Sequence, residues 1–559
     1  MPSENPAIGY IVGGNLKTAV RARLTVPTRD IQEGAFVVIE DGDFKFYGSV
    51  TDIQLGSTDE RFADEQSEQR LPADLAKLLH GQTLYTTLEI MLSQMVHSPE
   101  GLTEPLFSGP VPVKTIPSHH ATVRLAGEGD FAEIFGDPHA PGNLVIGYNR
   151  EQGHPIPVKL KELVKRSSGV FGATGTGKSF LTRIVLAGII QHDVAASLIF
   201  DMHNEYGPNG IDSDRNQAVP GLRQKFPAKV RLVGLGKTTL INGMQVDFSL
   251  EIGEEDIQPG DIEMLTRELN LKETTPVTLS ALEHQFGKKW FSAFKNMEVG
   301  TRVEGEDGKP VPAPNSVEYW AREAGVSEMA AVALHSKLQR VFRLPYIVPK
   351  PAADPLKALL EHLEKGHHIV LSFGEYDRDL DYLLVTNILT RRIREAWQEK
   401  TDAYRASPQI TKQPRQLLIV VEEAHKLLSR EMASQTIFST IARELRKYYV
   451  TLLIVDQRPS QIDDEVMSQL GTRICGWLGD DSDIQAVLSG LPGKDALRGF
   501  LSRLQPKEEA MMMGWGIATP IPFRTRTYDE QFWKDLQGDR LKKQSESDLI
   551  KALGFRDSD

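Results

Sequence analysis

The hydrophobic positions of this chain follow two patterns, and the change between them falls near residue 150. Between residues 8 and 53, short runs rich in β-branched residues alternate with glycine-containing turns, and the polar segment Glu40–Asp43 has the composition of a hairpin turn. Two more strand-like segments follow at 82–91 and 121–125. Several short strands without long helices between them predict a small β-barrel or sandwich over residues 1–150.

After residue 150, apolar runs of strand length alternate with segments of helical periodicity. One strand ends at Phe171 and precedes a glycine-rich turn and a predicted helix, Phe180–Gln191. Further strands are predicted at 197–200, 367–372, 417–421 and 451–455, with helices near 379–399 and 437–449. This alternation predicts an α/β domain with a mostly parallel sheet and helices on both faces.

The middle of the chain differs from both of these regions. Residues 210–365 contain several amphipathic segments, divided by a linker rich in Pro and Gly at 303–316, and this pattern predicts a mostly helical insertion. The charged segment 531–559 is predicted to form a helical tail. The sequence thus divides into an N-terminal β-barrel (1–150), an α/β core (151–209 and 366–530), the insertion and the tail.

Composition narrows the class of protein. The 559 residues include 76 acidic and 64 basic side chains, a net charge of −12, which disfavours a protein that coats DNA with its whole surface but allows a local basic loop or pore. The single cysteine, Cys475, excludes an intrachain disulfide and a Cys-rich metal site. No apolar run approaches the ~20 residues that span a bilayer. We therefore expect a soluble cytoplasmic protein without membrane attachment.

A glycine-rich loop between the first strand and helix of the α/β core carries the strongest chemical signal. It matches G-x-x-x-x-G-K-[ST], in which backbone N–H groups surround phosphates and the positive end of the next helix faces them. Lys178 would reach the β- and γ-phosphates of ATP, and the Ser179 hydroxyl would ligate Mg²⁺. The candidate nucleotide-binding residues are Gly172, Ala173, Thr174, Gly175, Thr176, Gly177, Lys178, Ser179 and Phe180.

Two consecutive acidic residues, Glu422 and Glu423, follow the apolar strand at 417–421. In an NTPase site the first acid holds Mg²⁺ and the second polarises the attacking water. Glu422 is therefore a candidate metal contact, although Asp is the usual residue there, and Glu423 is the candidate general base.

Polar residues also follow two neighbouring strands. Gln457 is a candidate to contact the γ-phosphate and to sense hydrolysis, with an ordinary turn residue before Pro459 as the alternative. Asp201 is a further candidate metal contact at the end of its strand, with capping of a helix or loop as the alternative.

Together, the segments FGATGTGKS, FDMHNEYG, LLIVVEEAH, IARELRKY and DQRPSQ occur in an order that resembles the HerA-type ATPases of the HerA/FtsK superfamily. The resemblance covers about 8–55 and 140–530. It implies a RecA-like core behind a HAS-type barrel, and a homo-hexamer with ATP sites between subunits that moves double-stranded DNA through its pore. It also implies an effector partner, such as a NurA-like nuclease or, in relatives that act in antiviral defence, a sirtuin-like subunit.

The resemblance adds residues that the phosphate-loop chemistry alone does not select. Arg443 and Arg446 become candidates for neutralising transition-state charge, with a solvated or DNA-facing helix surface as the alternative. Arg166, Gly514 and Trp515 lie in elements that touch nucleotide in that family.

Two other functions share these motifs. One is an ATP-binding hexameric scaffold that assembles and activates an effector without processive movement. The other is a conjugation- or secretion-type ATPase, which the lack of membrane helices in the sequence disfavours. Stimulation of ATP turnover by DNA separates the motor from the scaffold.

Overall fold

The computed structural model describes residues 5–58, 84–99, 105–212, 217–305, 309–432 and 445–538. The N-terminal strands are β1 (Ala7–Gly14), β2 (Val20–Leu24), β3 (Phe36–Asp41), β4 (Phe44–Ser57), β5 (Leu84–His97), β6 (Val111–Pro112) and β7 (Thr122–Leu125). Six of them close a barrel in the order β2-β1-β7-β3-β4-β5, because β5 also pairs with β2, and the short β6 pairs only with β5. The predicted barrel is confirmed, and Gly42 (φ +58°) forms the turn between β3 and β4 where the sequence places a hairpin.

Most of the remaining strands belong to one large sheet, and the others form small two-stranded sheets. The remaining strands are β8 (Asn143–Asn149), β9 (Pro155–Lys159), β10 (Ser168–Phe171), β11 (Ala196–Asp201), β12 (Gly210–Asp212), β13 (Gln217–Val219), β14 (Val230–Leu235), β15 (Leu240–Ile241), β16 (Met244–Gln245), β17 (Phe248–Leu250), β18 (Ile252–Gly253), β19 (Arg302–Glu304), β20 (Pro310–Pro312), β21 (Ile347–Val348), β22 (His368–Ser372), β23 (Leu417–Glu422), β24 (Val450–Asp456), β25 (Thr472–Gly476), β26 (Glu509–Gly514) and β27 (Ile521–Thr525). Twelve of these strands form the central sheet, in the order β17-β14-β22-β11-β23-β24-β10-β25-β26-β27-β8-β9. The first eight run parallel and the last four add antiparallel pairs, so the predicted mostly parallel sheet is confirmed.

Helices cover both faces of this sheet. They are α1 (Glu128–Phe135), α2 (Leu160–Val164), α3 (Lys178–His192), α4 (Leu222–Lys225), α5 (Pro259–Glu263), α6 (Thr266–Leu269), α7 (Thr275–Phe286), α8 (Trp290–Lys295), α9 (Val317–Glu323), α10 (Glu328–Phe342), α11 (Pro355–Glu364), α12 (Asp379–Ala406), α13 (His425–Leu428), α14 (Asp464–Gln469), α15 (Asp481–Leu488) and α16 (Lys494–Ser502). Alternate side chains of β23 belong to two separate cores: Ile419 packs in the core that contains α12, and Val420 packs in the core that contains α3. Burial on both faces explains why these strands read as continuous apolar runs.

The structure shifts the predicted domain limits. Strands β8 and β9 lie at the edge of the central sheet rather than in the barrel, so the barrel ends at Leu125. Strands β14 and β17 also belong to that sheet, so the predicted insertion is not helical over all of 210–365. Most of its helices lie within 259–342, and α11 (Pro355–Glu364) follows them. Sequence patterning misses both boundaries because they depend on pairing between distant strands.

Two sequence predictions fall largely outside the described residues. Residues 530–538 are helical and begin the predicted tail, but 539–559 are not described. Of the predicted helix at 437–449, the structure describes a short 3₁₀ turn, Leu445–Tyr448. Within the described ranges, no helix combines the length and apolar character that crossing a bilayer requires.

A buried carboxylate attaches the helical insertion to the core. Asp261, on α5, accepts hydrogen bonds from Arg391 at 2.8 and 3.3 Å and from the Asn387 amide at 2.7 Å, both on α12. The Asp261 side chain is fully buried, whereas the second acidic partner of Arg391, Glu395, is half exposed. A buried charge of this kind is tolerated only while its partners remain in place.

We expect Asp261→Ala to lower the free energy of unfolding by about 3–5 kcal/mol, because it leaves the Arg391 guanidinium buried without its main counter-charge. Glu395→Ala, which removes the exposed partner of the same arginine, should cost about 0–1 kcal/mol. Thermal melting of the two full-length variants beside the wild type tests this difference, and equal melting temperatures would contradict it.

Candidate nucleotide site

The parallel strands bring the candidate chemistry to one edge of the sheet. β24 lies between β10 and β23, with Phe171 paired to Asp456 and Glu422 paired to Val455. The phosphate loop after β10, the two acidic residues at the end of β23 and the polar residues after β24 therefore leave the sheet side by side. This is the carboxyl edge, where ligands bind in open α/β sheets.

The loop from Gly172 to Gly177 is held from both sides. The Ala173 N–H donates to the Trp477 carbonyl after β25 at 2.9 Å, and the Ala173 carbonyl accepts from Thr176 Oγ1 at 2.7 Å and from Lys178 Nζ at 2.9 Å. Gly175 (φ +75°) and Gly177 (φ +88°) occupy left-handed backbone that favours glycine. No atom lies within 4 Å of where a Cβ of Gly175 would stand, so the loop leaves open space there.

The loop leads directly into helix α3, which begins at Lys178 and carries Ser179 and Phe180 in its first turn. The unpaired N–H groups and the dipole at this helix end favour phosphate. The Phe180 ring faces Tyr528 at 6.2 Å between centroids, so its side chain packs within the protein and only its backbone is suited to a phosphate. Burial lowers the pKa of Lys178, and the nearby Glu423 and Asp456 carboxylates oppose that shift.

Glu422 has the environment of a cation ligand. Its side chain is buried, and Oε2 has no hydrogen-bond partner among the described residues. Burial raises its pKa well above the usual range, and the neighbouring carboxylates of Asp201 and Glu205 raise it further. A divalent cation satisfies such an oxygen and offsets the repulsion, so Glu422 and the Ser179 hydroxyl fit Mg²⁺.

The protein would supply few ligands to that ion. The described residues contain no group of three or more His, Cys, Asp or Glu side chains arranged to hold a metal. Mg²⁺ is commonly bound by one or two protein groups together with substrate phosphates and water.

Glu423 is joined to the phosphate loop through Gln457. Gln457 Nε2 donates to Glu423 Oε1 at 3.0 Å, while Gln457 Oε1 accepts from the Thr174 hydroxyl. Glu423 itself has a left-handed backbone conformation, with φ +46°. The candidate base, the candidate sensor and the phosphate loop thus form one hydrogen-bonded chain.

Asp201 caps the loop that follows β11. Its carboxylate is fully buried and accepts the backbone N–H groups of Glu205, Tyr206 and Gly207 at 2.7, 2.9 and 3.1 Å. These bonds shape the loop after β11 and occupy both oxygens. The geometry favours the loop-capping alternative over a metal ligand.

The described candidates taken from the family resemblance lie at the opposite edge of the sheet. Gly514 pairs with Thr472 at the amino end of β25, and Arg166 precedes the amino end of β10. The Arg166 guanidinium stacks over the Trp515 ring at 3.7 Å, and Trp515 is 66% exposed. Burial and the nearby Arg446 lower the pKa of Arg166.

Within one chain, therefore, Arg166, Gly514, Trp515 and Arg446 do not meet the phosphate loop. We call Arg166, Trp515 and Arg446 the basic edge; Trp515 and Arg446 are exposed, and Arg166 is partly buried. Gly514 has a local structural reason to be glycine, because φ is +100° and a Cβ would lie 2.0 Å from the Gly471 carbonyl oxygen. Arg443 lies outside the described residues.

Sequence reasoning missed three residues that border the site: Trp477, His425 and Asp456. Trp477 anchors the loop through its backbone carbonyl, which no side-chain motif reports. His425 and Asp456 stand inside the EEAH and DQRPSQ segments, but their contact depends on the pairing of β23 with β24.

Comparison with known proteins agrees with this organisation. The family model described as "Helicase HerA, central domain" matches residues 141–393, beginning just before β8, and a HAS barrel domain model matches residues 8–73. The chain is 25% identical over 562 residues to the DNA double-strand break repair helicase HerA of Saccharolobus solfataricus, covering 98% of each chain. It is 26% identical over 495 residues to the protein of that name from Sulfolobus acidocaldarius, covering 86% of this chain and 85% of that one. Among solved structures, VirB4 of Thermoanaerobacter pseudethanolicus superposes with a TM-score of 0.43 and 14% identity, over 69% of this chain and 97% of that one.

We expect Lys178→Ala to weaken binding of a fluorescent ATP analogue by at least about tenfold, because it removes the cation that faces the phosphates. Lys161→Ala, which removes an exposed lysine from α2, should bind the analogue like the wild type. Fluorescence titration measures both affinities, and unchanged binding by Lys178→Ala would contradict the assignment.

Proposed function

We propose that the chain is a HerA-type ATPase of the HerA/FtsK superfamily, a ring-shaped motor that couples ATP hydrolysis to movement along double-stranded DNA. The observation that carries the proposal is the chain of contacts from Thr174 through Gln457 to Glu423, beside Lys178 and Glu422. These groups supply phosphate binding, a sensor and a general base at one edge of the sheet. The relatives' name, DNA double-strand break repair helicase, supports DNA as the substrate.

Each residue of the site has a defined task in this proposal. Lys178 and the loop N–H groups bind the β- and γ-phosphates. Ser179 and Glu422 would hold Mg²⁺, which would supply stabilisation of the charge on the phosphates. Glu423 accepts a proton from the attacking water. Gln457 contacts the γ-phosphate and changes position when hydrolysis releases it. Because Gln457 directly follows β24, this change alters the end of that strand. A catalytic base linked by hydrogen bond to a sensor ties chemistry to conformational change.

The position of the basic edge suits it to face the nucleotide site of the neighbouring subunit in a homo-hexamer. In the proposed ring, Arg446 and Arg443 of one subunit stabilise transition-state charge at the next subunit's nucleotide, and Arg166 and Trp515 contact that nucleotide. Exposure of Trp515 and the mutual repulsion of Arg166 and Arg446 support this arrangement, because two close cations gain from an anion between them.

We also propose that the motor works with an effector subunit, either a NurA-like nuclease in DNA-end processing or a sirtuin-like or other effector in antiviral defence. The net charge of −12 disfavours DNA contact over the whole surface and favours a local one, such as a pore in which six copies multiply a few basic side chains.

We expect linear duplex DNA to stimulate ATP hydrolysis by the purified protein, and Glu423→Gln and Lys178→Ala to abolish the stimulated rate. Glu423→Gln removes the base but keeps the hydrogen bond to Gln457, so this variant should still bind ATP. Phosphate release with and without DNA measures the rates. A hydrolysis rate that is the same with and without DNA would contradict the motor and favour the scaffold. Wild-type turnover by Glu423→Gln would contradict the assignment of Glu423 as the general base.

We expect Arg446→Ala to lower turnover by about 10³-fold, the usual effect of losing an arginine that acts across an interface. Mixing Arg446→Ala with Lys178→Ala should restore activity, since some interfaces then combine an intact Lys178 with an intact Arg446. Lys447→Ala, an exposed neighbour, serves as the control. Inactivity of every mixture would contradict action between subunits.

A further inference from the structure

A histidine and an aspartate without a task in the proposed chemistry lie beside Glu423. His425 follows Glu423 by two residues, and Asp456 is the last residue of β24. One oxygen of Asp456, Oδ2, accepts the backbone N–H of His425 at 2.7 Å and lies 2.9 Å from the Nδ1 atom of the same residue. The His425 side chain therefore has a fixed orientation.

Asp456 ties together two loops that carry catalytic groups. Its other oxygen, Oδ1, accepts the Arg458 N–H at 2.7 Å, so the carboxylate is bonded to the segment after β23 and to the segment after β24. The side chain is 1% exposed, which leaves little room for another conformation. The two bonded segments contain Glu423 and Gln457.

The proton on the histidine follows from these contacts. A carboxylate only accepts hydrogen bonds, so Nδ1 carries the proton and donates it to Asp456. This bond raises the pKa of His425 above its usual value, against the effect of burial. The same Nδ1 atom lies 3.7 Å from Glu423 Oε2, while Glu423 Oε1 is bonded to Gln457.

The Glu423 backbone needs this support. A non-glycine residue with φ +46° is held in a sparsely populated region that costs about 1–3 kcal/mol and persists only where surrounding contacts fix it. The bond from the His425 N–H to Asp456 fixes the turn two residues further on. The side chain is then confined between His425 and Gln457.

We propose that Asp456 and His425 are a positioning pair that holds the Glu423 carboxylate in place against Gln457. They act through Glu423 and do not touch the reacting atoms. The proposal deepens the proposed function and rests on Glu423 as the general base. Removing the pair should lower the rate of hydrolysis while leaving nucleotide binding to the phosphate loop intact.

The test compares His425→Leu with His425→Asn, whose side-chain N–H can replace the Nδ1–H donor to Asp456. We expect His425→Leu to lower kcat for ATP hydrolysis by about 10–100-fold, the cost of a base displaced by about 1 Å. Its affinity for a fluorescent ATP analogue should stay within about twofold, and His425→Asn should recover most of the lost rate. His284→Leu, an exposed histidine on α7, is the matched control and should behave like the wild type.

A second comparison separates positioning from a general structural role. In a Glu423→Gln background, adding His425→Leu should lower the residual single-turnover rate by less than about threefold, because residues that act as a unit are not additive. An equal further loss in that background, equal impairment of the Leu and Asn variants, or weakened analogue binding would overturn the positioning pair.

The two proposals fail in different ways. Full activity of His425→Leu together with an inactive Glu423→Gln overturns the positioning pair and leaves the general base in place. Wild-type turnover by Glu423→Gln overturns the general base itself, and with it the reason for a positioning pair.

Discussion

The parallel pairing of β10, β24 and β23 in the middle of the sheet is the constraint on which the site depends. Its register sets Phe171 beside Asp456 and Val455 beside Glu422, so the loops that follow these strands leave the sheet within hydrogen-bonding reach of one another. Every contact between the phosphate loop, Gln457 and Glu423 is a consequence of that register. Side chains of each strand pack into two different cores, and a slip by one residue would exchange the cores and separate the catalytic groups.

The local parts of the site follow from sequence because their chemistry is local. A glycine-rich turn between a strand and a helix commonly binds phosphate. The position of Glu422 and Glu423 directly after an apolar strand marks them as the candidate acids of the site. Asp201 shows the limit of that reasoning. Whether an acid at a strand end faces the crevice or its own loop depends on backbone N–H groups that no motif records, here those of residues 205–207. The contact of His425 with Asp456 is non-local in the same way.

The domain boundaries were harder to predict for the same physical reason. Residues 143–149 fall inside the predicted barrel (1–150), yet they form β8, which pairs with β27 at the far edge of the central sheet. The barrel and the core are also joined more closely than separate domains would suggest. Phe36 and Tyr47 of the barrel pack in the same core as α3, and Glu33 forms an ion pair with Arg503 after α16. The barrel and the α/β core therefore share part of one hydrophobic core.

The placement of the helical insertion bears on how such chains change in length during evolution. Its helices lie in the segment 251–367, which connects β17 with β22 on the flank of the sheet away from the phosphate loop. The two halves of the nucleotide site are set by strand pairing and not by the number of residues between them. Helices can accordingly be gained or lost at this point without moving Lys178 relative to Glu422, and the spacing of the two motifs is free to drift while their geometry is retained.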